Sequence, residues 1–153
     1  MQARHNPFMA CAIEVASSMS SCIFCRIVND EEPSHKLWAD AHFLAFLTIH
    51  PINPGHTLLI TKQHFDYIFE LREPLYTAIF QAARQLARPL RAATRAKRVG
   101  IAIEGLNVRH LHIHLVPINN VGELDARRRT SMTAEELFEM AEQIRKRIHK
   151  RSK

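Results

Sequence analysis

Three histidines alternate with aliphatic residues in the run His110-Leu111-His112-Ile113-His114-Leu115-Val116-Pro117. Successive side chains of a β-strand point to opposite faces, so a strand here sets His110, His112 and His114 on one side. Leu111, Ile113 and Leu115 take the other. A strand buried for packing alone gains nothing from three imidazoles in a row. One chemistry that suits them is metal binding by neutral imidazole. Alternate strand residues stand about 6.6 Å apart, which separates His110 from His114 by about 13 Å at the backbone. Zinc holds nitrogen at about 2.0–2.1 Å, so neighbours in the row can share an ion but all three hardly can. A second chemistry is attack on phosphorus. Neutral imidazole is a nucleophile near pH 7, and its protonated form is a donor and a charge for phosphoryl oxygens. Such attack needs mostly positioning and charge stabilisation, which a rigid strand supplies. The third reading leaves them as buried structural histidines, each needing its own hydrogen-bond partner.

Cys22-Ile23-Phe24-Cys25 is a second chemical spacing, suited to metal or redox work. With Cys11 the chain has three cysteines. An odd count without a signal peptide argues against a disulfide framework.

These residues need elements to hold them. Residues 36–48 read as two short strands around a turn. Pro51-Ile52-Asn53-Pro54-Gly55 is a turn with glycine available for a positive φ. The stretch 56–62 reads as a third strand, opening on His56, which packs within it. Pro74 can start a helix. Leu75, Ile79, Ala82, Leu86, Leu90 and Ala93 recur at helical spacing, with Arg84, Arg88, Arg91 and Arg95 on the opposite face. Pro89 should kink or break that helix. Residues 99–103 and 109–117 read as the fourth and fifth strands. Thr133 and Glu136 form a capping box before a last helix over 134–149. Hairpin-like strands with helices inserted between them predict an α+β domain on an antiparallel sheet.

The chain has 153 residues, 46% of them hydrophobic and 24% charged, which suits one soluble domain. No apolar run reaches the ~18–20 residues that span a membrane. Residues 8–18 faintly resemble a signal-peptide core, but Glu14 interrupts them, so the chain reads as cytoplasmic. Residues 1–20 read as a poorly ordered N-terminal extension, 21–130 as the domain, and 131–153 as a C-terminal helix with a basic tail. The formal charge is +6, and the run from Arg145 to Lys153 holds six Lys or Arg and no acid. That run reads as a solvated helix end. The arginine stripe reads as a wet face, with no interleaved aromatics to stack bases, so nucleic acid is not an expected partner.

Taken together, the motifs resemble the histidine triad (HIT) family of nucleotide hydrolases and transferases, its Hint-like branch in particular. Residues 110–116 match the family pattern of alternating histidine and apolar residues at every position. Cys22-Ile23-Phe24-Cys25-Arg26-Ile27-Val28, Phe43-Leu44-Ala45-Phe46 and the run from Pro51 through Pro54-Gly55-His56 to His64 resemble its N-terminal half. The resemblance covers about residues 22–117. It implies a five-stranded antiparallel sheet with flanking helices, joined to a second copy in a homodimer. It also implies a mechanism. His112 would attack the α-phosphorus of a purine nucleotide, giving a covalent nucleotidyl-histidine that water hydrolyses. His114 would contact the phosphate oxygens, and His110 would orient His112 or bind metal. Asn107 would face the phosphate, its amide a donor. Ile23, Phe24, Ile27, Phe43, Phe46 and Ile49 would form the nucleoside pocket, with Thr48 where many members place an aspartate on the ribose. Some members hold a structural zinc with a CxxC pair, a histidine after the third strand and the first triad histidine. Cys22, Cys25, His64 and His110 fill those positions. No organic cofactor is implied. The resemblance thus points to a nucleotide hydrolase acting on phosphoramidates, aminoacyl-adenylates or dinucleoside polyphosphates. Its alternatives are a nucleotide- or zinc-binding regulatory module, and a DNA-repair adenylate hydrolase using the arginine stripe and tail.

Overall fold

The computed structural model describes residues 21–149. The extension before them, with Cys11 and the stretch 8–18, and the end of the basic tail at 150–153 lie outside the described residues. Five strands form one antiparallel sheet: β1 (Lys36–Ala39), β2 (Phe43–Leu47), β3 (Thr57–Thr61), β4 (Arg98–Ala102) and β5 (His112–Ile118), in the order β1-β2-β3-β5-β4. Three helices accompany them: α1 (Ile23–Val28), α2 (Leu75–Thr94) and α3 (Ala134–His149). No described helix is long and apolar enough to cross a membrane.

Local chemistry sets each element. Asp40 closes the β1–β2 turn, its Oδ1 accepting from the amides of His42 at 2.8 Å and Phe43 at 2.7 Å. β2 and β3 are buried along their whole length, as their apolar runs require. Between them Gly55 takes φ +84°, and a Cβ there would lie 2.5 Å from Cγ2 of Thr94. Only glycine lets this turn lie against the end of α2. Along α2, Ile79, Ala82, Leu86 and Leu90 are buried while Arg84, Arg88, Arg91 and Arg95 are exposed. Pro89 does not break the helix, which runs on to Thr94. Leu86 and Leu90, both buried, hold it to the core on either side of the proline. The capping box forms at α3: the Thr133 amide donates to Oε2 of Glu136 at 2.7 Å, and the Glu136 amide to Oγ1 of Thr133 at 3.2 Å.

The two faces of the sheet differ. One carries Phe43, Ala45, Leu47, Leu59, Ile113 and Leu115, buried with α2 and α3 in the main core. The other carries Leu44, Phe46, Leu58 and Ile60, packed with Phe24 and Ile27 of α1 in a smaller cluster. Here too lie the histidines. β5 starts later than its alternating pattern suggests. His110 and Leu111 precede the ladder, the His110 amide donating to the Val108 carbonyl at 2.8 Å and the Leu111 amide to the Phe65 carbonyl at 2.6 Å.

Candidate active site and metal centre

Register brings the histidines beside the small cluster. Ile60 pairs with His112 and Leu58 with His114, so both imidazoles share the face that α1 covers. His110, just ahead of the strand, is fully buried on the same side, and the Phe24 ring meets both His110 and His112 edge-on.

Backbone partners fix which nitrogen carries the proton in each ring. Nε2 of His110 lies 2.8 Å from the Thr61 carbonyl and donates to it, which turns its Nδ1 lone pair to the sulfurs of Cys22 and Cys25. Nδ1 of His112 donates to the His110 carbonyl at 2.6 Å, leaving the Nε2 lone pair free. His56 completes the set. Its Nδ1 accepts from the Ile52 amide at 3.1 Å, so its proton sits on Nε2 and is donated to Nδ1 of His114 at 3.0 Å. The proton of His114 is therefore on Nε2.

These assignments need neutral rings, and the surroundings keep them neutral. Burial pulls His56 down to about 3, helped by the charges of His114, Arg129 and His112. Burial likewise lowers His114 to about 4, with His112 and Arg129 adding to it. His110 falls to about 4 by burial, despite its bond to the Thr61 carbonyl. His112 is lowered by burial too, partly opposed by its bond to the His110 carbonyl.

A cavity of about 770 Å³ opens over His112, His114 and His56. Ile23, Phe24, Ile27 and Phe46 make its apolar wall, and Thr48, Ile49 and Asn107 also line it. Phe43 does not. It lies three residues from Phe46 on β2, so it points to the opposite face and packs in the main core. His35 and His50 sit on the cavity lining as well. Two further lining residues, His56 and Arg129, carry chemistry that no local pattern signals. Strand alternation put His56 inside its own strand, but its link to His114 needs the β3–β5 register. Arg129 belongs to the run Arg127-Arg128-Arg129, in a stretch with no periodicity to place it.

Behind His110, ligand atoms of Cys22, Cys25, His64 and His110 all lie within 4.8 Å of one another. Sγ of Cys22 is 3.4 Å from Nδ1 of His110, and Sγ of Cys25 is 3.3 Å from Nδ1 of His64 and 3.5 Å from Nδ1 of His110. Zinc bonds of about 2.3 Å to sulfur and about 2.0 Å to nitrogen set tetrahedral S and N ligands about 3.5 Å apart. The four residues thus fit a tetrahedral Cys₂His₂ centre. Burial, with the Cys22 side chain beside it, pushes the Cys25 thiol up to about 12. A bound cation is what would replace that proton. His110 spans the two sites: its ring faces the cysteines and its carbonyl holds His112.

The HIT domain family model matches residues 29–121. The protein named Protein hit of Bacillus subtilis is 34% identical over 110 residues, covering 67% of this chain and 74% of that protein. Adenosine 5′-monophosphoramidase HNT1 of Saccharomyces cerevisiae is 33% identical over 99 residues, covering 64% of this chain and 63% of that protein. Among solved structures, a Zn-bound histidine triad family protein from Mycobacterium smegmatis superposes with a TM-score of 0.73 at 28% identity, over 88% of this chain and 97% of that one.

Proposed function

The chain belongs to the HIT domain family, and we propose that within it this protein hydrolyses nucleotides at the α-phosphate through a covalent nucleotidyl-histidine. The observation that carries this reading is the free Nε2 of His112, held by the Nδ1 bond to the His110 carbonyl and facing a cavity with an apolar wall. A purine nucleoside would rest on Ile23, Phe24, Ile27 and Phe46. The Nε2 lone pair of His112 forms a bond to the α-phosphorus as the bond to the leaving group breaks, and the electron pair departs with that group. An amidate nitrogen takes up a proton from water, so that it leaves as the neutral amine. Nε2–H of His114 donates to a phosphoryl oxygen, with the Asn107 amide as a further donor. Water then cleaves the phosphorus–nitrogen bond. The phosphoramidase relative supports a nucleoside phosphoramidate as substrate; dinucleoside polyphosphates are the other class.

Cys22, Cys25, His64 and His110 would hold a structural zinc ion. When bound it supplies a closed tetrahedral cross-link that takes no part in the chemistry. The donor set, its separations and the zinc-bound relative support this. We further propose a homodimer whose sheets continue across β4.

Rapid-quench incubation with adenosine 5′-phosphoramidate and intact-mass measurement test the mechanism. The wild type should gain one adenylyl group, and His112→Ala should lose both the adduct and turnover by at least ~10³-fold. Full activity of His112→Ala on phosphoramidates and dinucleoside polyphosphates would overturn it.

A further inference from the structure

Arg129 has no assigned work, yet it lines the cavity, and it is the one arginine or lysine that does so among the described residues. Its neighbour Arg127 is committed to Asp125, with contacts of 2.5 to 3.0 Å. Among the described residues no carboxylate pairs with Arg129. Its backbone is nevertheless anchored. The Arg129 amide donates to the Ala126 carbonyl at 3.2 Å, and the Thr130 amide donates to the Pro51 carbonyl at 2.9 Å. Pro51 opens the turn that leads to His56, so the guanidinium hangs from a segment tied to the active-site turn.

Its place along the cavity can be read from the rings. Phe24, His112, His114 and His56 follow one another at centroid separations of 5.1, 4.9 and 5.2 Å, leading away from the apolar wall. The Thr130 amide bond to the Pro51 carbonyl, at the start of the turn that leads to His56, ties the Arg129 segment to the His56 end of the cavity that both residues line. A nucleoside on the apolar wall with its α-phosphorus at His112 has room to extend its leaving group that way. Three neutral imidazoles and a guanidinium that no carboxylate among the described residues pairs with share this lining, with Glu32 and Glu104 also on the cavity.

We propose that Arg129 is a specificity-determining residue that binds an anionic leaving group, a phosphate bonded through oxygen to the α-phosphorus. This rests on the nucleotide-hydrolase reading and deepens it. As the bond from Nε2 of His112 to phosphorus forms, the bond from phosphorus to the bridging oxygen breaks. The electron pair stays on the departing phosphate as one added negative charge. No proton is required, and the guanidinium pairs with that charge. An amine leaving group must instead take up a proton and gains nothing from Arg129.

The test compares kcat/KM for diadenosine triphosphate and for adenosine 5′-phosphoramidate in the wild type, Arg129→Ala and Arg129→Lys. The ratio of polyphosphate to amidate turnover should fall about tenfold or more in Arg129→Ala, the scale of one hydrogen bond to a charged group. Arg129→Lys should restore part of it. An unchanged ratio, whether both rates fall together or neither does, overturns the proposal. If the wild type turns over neither compound, the hydrolase reading fails by itself, and calorimetry with ADP and AMP then decides the role of Arg129. The preference for ADP over AMP should drop about tenfold in Arg129→Ala; an unchanged preference overturns the proposal.

Discussion

Four buried histidines of one face do different work because three meet different backbone groups and the fourth, His114, meets the ring of His56. A carbonyl takes the Nε2 proton of His110 and the Nδ1 proton of His112, while an amide claims Nδ1 of His56 and so sends its proton toward His114. The chain from the Ile52 amide through His56 to His114 does not survive a second proton on either ring, because the acceptor nitrogen would become a donor. The fold therefore carries an acid sensitivity that His56 and His114 set. Unfolded, both ionise near the ordinary 6.5; folded, His56 ionises near 3 and His114 near 4. Between those values the unfolded chain binds more protons, so stability present above pH 6.5 is lost as pH falls toward 4. At pH 5 the loss is about 2 kcal/mol for one such imidazole, on the order of 4 kcal/mol for the pair. Urea midpoints measured from pH 7.5 to pH 5 should fall accordingly, and the His56→Gln variant, which cannot ionise there, should show a shallower slope. A midpoint that stays flat over this range would contradict the neutral-imidazole arrangement.

At the scale of elements, the cysteine–histidine cluster adds a cross-link between α1, the segment after β3 and the approach to β5. α1 has six residues, too few to persist alone, and it buries only Phe24, Cys25 and Ile27. His64 comes from the segment after β3, and His110 from the approach to β5. A zinc ion at these ligands would pin all three. The protein should carry about one zinc per chain by elemental analysis, and chelation should lower its Tm by roughly 5–10 °C, about 2–3 kcal/mol for a domain of this size. Cys25→Ser should act in the same direction. Nucleotide affinity should weaken as well, since α1 supplies Phe24 and Ile27 to the cavity. Metal-free protein with an unchanged Tm would remove the cluster from any structural role. The same elements show what a sequence can and cannot disclose. The strands, both long helices and the Thr133–Glu136 cap are local matters of periodicity and side-chain chemistry, and all were legible. The family resemblance puts Phe43 in the nucleoside pocket, whereas strand alternation sends Phe43 and Phe46 to opposite faces, and Phe43 packs in the main core. Pro89 does not end the helix, because buried Leu86 and Leu90 hold it to the core on both sides. His56 and Arg129 were beyond reach: the first needs the register of β3 on β5, and the second needs a turn docked on Pro51.

For the whole molecule, the two edges of the sheet are not equivalent. β1 is broken by a register shift between Lys36 and Trp38, and Nε of Arg145 on α3 donates to the Lys36 carbonyl at 2.8 Å. A bulge and a capping side chain are what blunt an edge against further pairing. β4, at the other edge, pairs in unbroken register with β5 along Arg98–Ala102. Ile101 lies on the face that α2 and α3 cover, yet it is 47% exposed because it sits beyond their reach. An open, regular edge flanked by an uncovered isoleucine is a template for a second strand, and a second copy of this chain brings an identical one. Sedimentation equilibrium should therefore give twice the mass of the chain. Ile101→Arg should give the mass of one chain while far-ultraviolet circular dichroism stays unchanged, since the side chain contributes little to the monomer core. A wild type that sediments as a single chain, or a dimer indifferent to the arginine, would place the subunit contact elsewhere or remove it. The cavity lies on the opposite face of the sheet, so loss of the dimer should reach activity only through β4, whose Ala102 pairs with His114. A monomeric Ile101→Arg protein should thus keep nucleotide binding within roughly threefold of wild type, the range over which a distant substitution acts independently of a site.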